Sequence, residues 1–285
     1  MKKIIIYMLF VITCIFIGMS IPIIYTRLYY HFPKETSKEN YNLFNSSSYS
    51  FYYNNLSKEE KEVYNEYINA FLNMNDKILL KERLTLKSER KVYEAITKDH
   101  PEIFYIPTRK CRLFLIDNKV DICEFEYPYT KEKIDELTPL FEDKINNIIS
   151  KAKEYNTDYE KIKYIHDSLI DLGEYLETDS NFLELAESND YQSIVSILTT
   201  GKTVCCGYTK LFQIIMNRLG YKTISLNDSS YIENNGHIWN AIYFENEWLY
   251  IDVTWDDNDY NQYLYFLNNY DTFYKTHTKI TEIPS

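Results

Sequence analysis

Cys205 and Cys206 open a stretch whose apolar residues Tyr208, Leu211, Phe212, Ile215 and Leu219 recur at helical spacing. A cysteine in the first turn of a helix meets unpaired backbone N–H groups and the positive end of the dipole, which stabilise a thiolate and lower its pKa. A lone cysteine at such a place is more often an inert core thiol, so its partners must decide. Those partners are supplied by HIWNAIYFENEWLYIDVTW, residues 237–255. A two-residue turn at Glu245-Asn246 pairs Phe244 with Glu247 and sets Asp252 opposite Trp239. His237, two residues from Trp239, then shares a sheet face with Asp252 on the diagonal, at about 7 to 8 Å between backbones. A three-residue loop would move Asp252 opposite Asn240 and onto the other face; Asn246 tolerates positive φ and suits the shorter turn.

With that register the expected roles follow. His237 takes the proton of Cys205, Asp252 holds the imidazole in one tautomer, and the thiolate attacks a carbonyl or carboxamide carbon to give a thioester that water or an amine resolves. Backbone N–H groups at the start of the Cys205 helix are natural oxyanion donors. Gln192 is a weaker second donor, with a surface or capping role as its plainer reading. Trp239, beside His237, is placed to line a substrate groove; Trp239, Trp248 and Trp255 otherwise read as core or cleft wall. His166 with Asp167 reads as a hydrogen-bonded histidine beside a helix-face carboxylate, and His277 likewise as structural. Five scattered histidines without a CxxC pair argue against zinc, and Asp256, Asp257 and Asp259 read as a solvated acidic loop rather than a calcium site. No cofactor is called for.

The elements that must position these groups are legible in outline. Ser57 with Glu60 forms a capping box ahead of Tyr64, Tyr67, Ile68 and Phe71, a first helix; a second runs from Ser88 through Thr97. Ile103 to Phe125 reads as strands, with a hairpin turning at Asp117-Asn118. That turn sets Cys111 opposite Glu124, one position out of register with Cys123, leaving a disulfide open. Thr130 to about Tyr155 and a helix capped by Thr157 with Glu160 follow. Ser188 to Leu198 reads as a helix, then the loop Thr199 to Val204, the Cys205 helix ended by Gly220, and strands at 222–227, 237–244 and 248–254.

The stretches GKTVCCGYTKLF and GHIWNAIYFENEWLYIDVTWDD, in that order, resemble the bacterial transglutaminase-like domains, relatives of the papain-type cysteine peptidases. These show G-K-x-V-C-x-G-Y, then H-x-W-N, then W-x-x-[VI]-D-x-T-W-D. The resemblance implies Cys205, His237 and Asp252 as a catalytic triad. DHPEIFYI at 99–106 and YLYFLNNYDTFYKTH at 263–277 resemble flanking elements of the same proteins. The chain departs at Cys206, where the family usually carries a polar residue such as Gln or Glu, and at Glu245-Asn246, where it often has Asp-Gly.

Composition bounds the remaining readings. The chain has 285 residues with 42 acidic against 31 basic side chains, a net charge of -11, which opposes binding to nucleic acid. Residues 4 to 25 are uncharged and mostly apolar behind Lys2 and Lys3, long enough to cross a ~30 Å hydrocarbon core. They read as a membrane anchor with a cytoplasmic start, a cleaved signal being the alternative. The expected organisation is an anchor at 1–29, a stalk at 30–56, a mixed α/β portion at 57–128 and a transglutaminase-like domain at 129–285. The expected fold is α+β of the papain-like type, its Cys-bearing helix packed on an antiparallel sheet. The expected function is thiol acyl transfer outside the cytoplasm on a protein or peptide at the cell surface, with hydrolysis of peptide or amide bonds ahead of transglutamination. A catalytically idle binding domain on the same fold is the reading from another class.

Overall fold

The computed structural model describes residues 49–107, 111–176, 189–228, 236–278 and 280. The segment read as a membrane span, including Cys14, and the stalk up to residue 48 lie outside them. Among the described residues no helix is long and apolar enough to cross a membrane.

The chain enters through a short helix, α1 (Phe51–Asn54), followed by α2 (Lys58–Leu72), whose Ser57/Glu60 capping box is formed on both sides. Residues 51–56 therefore depart from the expected stalk. Tyr52 and Leu56 are buried, the Tyr52 hydroxyl donates to Ser225 O, and the backbone N–H groups of Tyr52 and Tyr53 donate to the Asp99 carboxylate. Aromatic anchoring outweighs the polar composition that suggested a spacer. Strand β1 (Lys77–Leu79) and helix α3 (Leu86–Asp99), capped by Thr85, lead to the hairpin of β2 (Cys111–Ile116) and β3 (Lys119–Phe125), giving an antiparallel sheet of order β1-β3-β2.

The hairpin turns at Asp117-Asn118 with both φ positive, as expected, but a bulge between Phe114 and Leu115 moves Cys111 opposite Phe125. That places it two positions from Cys123, and both thiols are free. Cys123 lies against the Tyr67 hydroxyl at 2.9 Å, Cys111 against Pro107 O at 3.4 Å. Residues 103–107, expected as strand, are turns and coil with every residue buried, held by local bonds such as Ile103 N–H to His100 O.

Helices α4 (Lys131–Ala152) and α5 (Asp158–Leu172) match the two apolar stripes, and α5 carries the expected Thr157/Glu160 capping box. The two-residue strands β4 (Glu174–Tyr175) and β5 (Lys202–Thr203) pair in parallel. The single helix expected over 188–198 is a 3-10 turn at Asn189–Gln192 followed by α6 (Ile194–Thr199). Ser193 breaks it by turning its hydroxyl to the Val195 N–H as an N-cap.

Helix α7 (Cys205–Arg218) is buried on nearly every side, not on the one face its stripe suggested; Lys210 and Arg218 are the exceptions. Its buried polar side chains bond across the fold: Thr209 donates to Ile238 O, Gln213 Nε2 to Lys98 O, and Asn217 accepts from Thr223 N–H, while Gln213 Oε1 is buried without a partner. Strands β6 (Thr223–Asn227), β7 (Ile238–Phe244) and β8 (Glu247–Ile251) form an antiparallel sheet beside it, and helices α8 (Val253–Asp256) and α9 (Tyr270–Phe273) complete the chain. One continuous apolar core runs from Tyr52 to Tyr274, through the boundary drawn at 128/129.

The approach of β5 to the first turn of α7 demands glycine. A Cβ at Gly207 would lie 1.9 Å from Thr203 Oγ1 and 3.0 Å from its Cβ. Gly207→Ala is therefore expected to destabilise the protein by about 1–3 kcal/mol, read as a lowered Tm; an unchanged melting curve would contradict this packing.

Candidate active site

The β7–β8 hairpin sets the register of the site. Glu245 and Asn246 both have positive φ (52° and 68°), the two-residue turn is formed, and Phe244 pairs with Glu247 through to Asn240 with Ile251. Strand pairing stops one residue before Asp252, because that side chain starts a helix. Its Oδ1 accepts the N–H groups of Thr254 (3.0 Å) and Trp255 (3.2 Å), capping α8, where a strand to residue 254 was expected.

Its Oδ2 receives two imidazoles. His237 Nε2 lies at 2.5 Å and His277 Nε2 at 3.0 Å, so Asp252, 1% exposed, carries four hydrogen bonds. Burial alone would raise its pKa, but the bonds from His237 and His277 outweigh that and hold it below the ordinary aspartate value. An ionised carboxylate only accepts, so the network assigns both histidines the Nε2–H tautomer and leaves Nδ1 of His237 with its lone pair. His237 is further fixed by its backbone, which exchanges bonds with Asp228, and by Trp255, whose ring stacks on it at 4.9 Å and 12°.

Cys205 and Cys206 occupy the first two positions of α7, whose N-cap residue Val204 makes no side-chain cap, leaving the first-turn N–H groups to other acceptors. Cys205 packs with Ile238, the residue after His237, whose backbone N–H points at its sulfur. Among the described residues no hydrogen bond joins Cys205 to His237. The helix terminus does not lower the Cys205 pKa as expected: the adjoining Cys206 thiol and burial push it well up, against the opposing Ile238 N–H. Two thiols sharing one buried terminus cannot both ionise cheaply.

Cys206 Sγ donates to Gln192 Oε1 at 3.2 Å, which brings Gln192 into the site through the 3-10 turn instead of leaving it on the surface. Trp239, expected along a groove, is 1% exposed and packs beneath the hairpin against Phe273, Tyr274 and His277. It faces inward because β7 is covered on that side by the C-terminal helix. Trp255, 38% exposed, is the tryptophan at the open face.

His277 was read as structural, and it bonds the same carboxylate oxygen as His237 while stacking on Phe273 at 3.8 Å. Nothing in its own spacing could have announced this; the two residues are brought together by α9. His166 behaves as expected, fully buried between Asp167 (3.0 Å) and Asp256 (3.1 Å). Of the expected solvated acidic loop only Asp259 is exposed; Asp256 is buried on His166 and Tyr265 N–H, and Asp257 accepts from the Tyr208 hydroxyl. His237, Asp252 and His277 offer three ligand atoms within 4.8 Å of one another. The two Nε2 atoms stand at hydrogen-bond distances of 2.5 and 3.0 Å from Asp252 Oδ2. The arrangement is a hydrogen-bonded imidazole-carboxylate cluster beside a buried thiol pair at a helix terminus.

Residues 146–253 match the family model of the Transglutaminase-like superfamily. The chain is also similar to Kyphoscoliosis peptidase of Mus musculus, 28% identical over 124 residues, covering 39% of this chain and 18% of that protein. Among solved structures it is similar to a TGase (TM-score 0.35, 16% identity, 62% of this chain and 50% of that one). Another is a candidate cysteine protease from Cytophaga hutchinsonii (TM-score 0.30, 14% identity, 52% and 62%). The chain thus spans less than a fifth of the curated relative it matches.

Proposed function

With a transglutaminase-like domain over residues 146–253 as the premise, we propose that the chain is a thiol acyl-transfer enzyme in which Cys205 is the nucleophile, His237 the base and Asp252 the orienting carboxylate. The observation that carries this reading is the 2.5 Å contact between His237 Nε2 and the buried Asp252. It leaves Nδ1 as the one ring nitrogen able to accept a proton, on a residue adjacent to the one that packs on Cys205.

The proton leaves Sγ for His237 Nδ1 as the sulfur attacks. Catalytic hydrogen bonds that are long in the free enzyme tighten once substrate is bound. Asp252 stabilises the imidazolium that forms. The first-turn N–H groups of α7 receive the oxyanion, the leaving amine takes the proton back from Nδ1, and a thioester on Cys205 remains. Water, deprotonated by His237, then releases the acid.

Hydrolysis of peptide or amide bonds is placed ahead of amine transfer, in line with the peptidase name of the curated relative. We place the enzyme on the outer side of a membrane, held by residues 4 to 25, on the strength of their apolar run. Product release from glutamine-containing peptides, with and without a primary amine, tests the chemistry. Release of acid and ammonia or amine is expected in both; incorporation of the added amine at the expense of hydrolysis would show a transglutaminase, and no turnover of any acyl substrate would sink the reading.

A further inference from the structure

His166 is a buried titratable group that the proposed chemistry leaves unused. It lies on α5, fully buried, and each ring nitrogen meets a different carboxylate: Nδ1 is 3.0 Å from Asp167 Oδ1 and Nε2 is 3.1 Å from Asp256 Oδ2. An ionised carboxylate only accepts, so a neutral imidazole can serve one of the two and turns a lone pair on the other. A proton on both nitrogens serves both. The surrounding charges match this state. Lys163 Nζ and the Tyr263 hydroxyl donate to the other oxygen of Asp167 at 2.5 and 3.1 Å, and Tyr265 N–H donates to the other oxygen of Asp256 at 2.8 Å. One ammonium and one imidazolium then face two carboxylates. Burial opposes charge on the ring, but the bonds to Asp167 and Asp256 outweigh it and hold its pKa above the ordinary value. Burial, with a smaller push from the Asp252 charge, raises the Asp256 pKa more than His166 and Tyr265 N–H lower it, so the contact keeps its proton.

Helix α8 is a single turn closed by two backbone bonds, Asp256 N–H to Asp252 O and Asp257 N–H to Val253 O. An isolated turn is costly to nucleate, so what grips its ends decides where it sits. Asp252 caps its start, and Asp256 at its end is held by His166. Between them, Trp255 stacks on His237. One turn therefore carries the carboxylate that orients the base, the indole that covers the base and the group that His166 grips. A carboxylate at the end of a helical turn faces the negative end of its dipole, and an imidazolium offsets that repulsion.

We propose that His166 is a positioning residue for the triad: clamped as an imidazolium between Asp167 and Asp256, it fixes α8 against α5 and so sets where Asp252 meets His237. The inference rests on the roles proposed for Asp252 and His237. His166 itself exchanges no proton with substrate. Its folded pKa lies above 6.5, so the clamp is complete below that value and is lost as pH rises through the folded pKa.

The test compares wild type, His166→Gln and Asp167→Asn as full chains carrying isotope-labelled histidine, by NMR of the ring nitrogens and by steady-state kinetics on glutamine-containing peptides. In the wild type at neutral pH both His166 nitrogens should bear protons. His166→Gln keeps one donor but loses the charge. It should lower kcat by about 100-fold with KM unchanged, the effect of a small misplacement, and displace the low-field proton of the His237–Asp252 contact. Asp167→Asn removes one of the charges that hold the ring protonated. The pH at which His166 loses its second proton should fall in this variant, and the alkaline limb of kcat should move with it. A neutral His166 ring at neutral pH would overturn the clamp. A lowered Tm in His166→Gln with kcat and the His237 proton unchanged would assign His166 to stability alone, as would an alkaline limb in Asp167→Asn that does not follow the His166 titration. Should His166→Gln fail to fold, Asp167→Asn, which keeps the Asp256 contact, decides by the same two readings. No turnover by a wild type whose His166 nitrogens are both protonated would overturn the acyl-transfer reading itself, and the positioning role with it.

Discussion

A Cys205→Ser protein is expected to lose acyl transfer by roughly 10⁴-fold or more, since the residual rate comes only from binding and oxyanion donors. Cys206→Ala should keep activity and become more reactive at neutral pH. The sign follows from the contacts. Cys206 raises the Cys205 pKa through a hydrogen bond and through its own charge, so removing it lowers the Cys205 pKa and shifts the curve of iodoacetamide labelling against pH toward acid. In the wild type, labelling should climb as pH rises beyond neutrality. A wild type labelled fastest at acidic pH would point to a preformed thiolate-imidazolium pair, and a Cys206→Ala curve displaced toward alkali would contradict the arrangement of the two thiols.

Replacing Asp252 should act on stability and chemistry together. Asp252→Ala strands two imidazole N–H groups in a buried site and uncaps α8. Breaking such a buried group is expected to cost about 3–5 kcal/mol, read by urea unfolding at pH 7. Asp252→Asn retains the Oδ1 cap but turns an N–H₂ or a weaker acceptor toward His237 and His277. It should fold better than the alanine variant while losing roughly 10⁴-fold in kcat through the wrong tautomer.

The pH dependence separates the two effects. The folded Asp252 pKa lies below the ordinary value of 3.8, so its stabilisation is fully present above that value and is lost as pH falls through the folded pKa. The stability gap between wild type and Asp252→Asn should therefore narrow below about pH 4. A gap that stayed constant to lower pH would mean that Asp252 is not held ionised by its histidines.

His277 enters both predictions through the same oxygen. It competes with His237 for Oδ2, and its ring, stacked on Phe273 and 4.1 Å from Trp255, fixes the far side of the carboxylate. Residues from the last described turns of the chain thus hold the group that orients the base. The C-terminal segment is part of the site.

What was readable in the chain is what depends on neighbours in sequence. The Ser57/Glu60 and Thr157/Glu160 capping boxes, the Asp117-Asn118 and Glu245-Asn246 turns, and the His237 to Asp252 pairing follow from spacing that fixes hydrogen-bond geometry within a few residues. The two-residue turn at 245–246 settled on which face Asp252 would fall, and the structure agrees. Even there the strand ends early, because the same carboxylate caps α8, a local alternative that alternation of apolar residues does not report.

What the tertiary structure decided are the contacts across long separations and the environments they create. His277 lies 25 residues from Asp252, Asp256 lies 90 from His166, and Gln192 lies 14 from Cys206 across a break in the helix. A helix terminus by itself lowers a thiol pKa, yet the dry core packed around Cys205 adds to the effect of its sequence neighbour Cys206 and pushes it up. Trp239 was turned inward by α9 packing on β7, and Lys210 was brought to Gln192 O. Sequence spacing determined which residues could meet on one element, whereas burial and charge balance, which set their chemistry, are properties of everything packed around them.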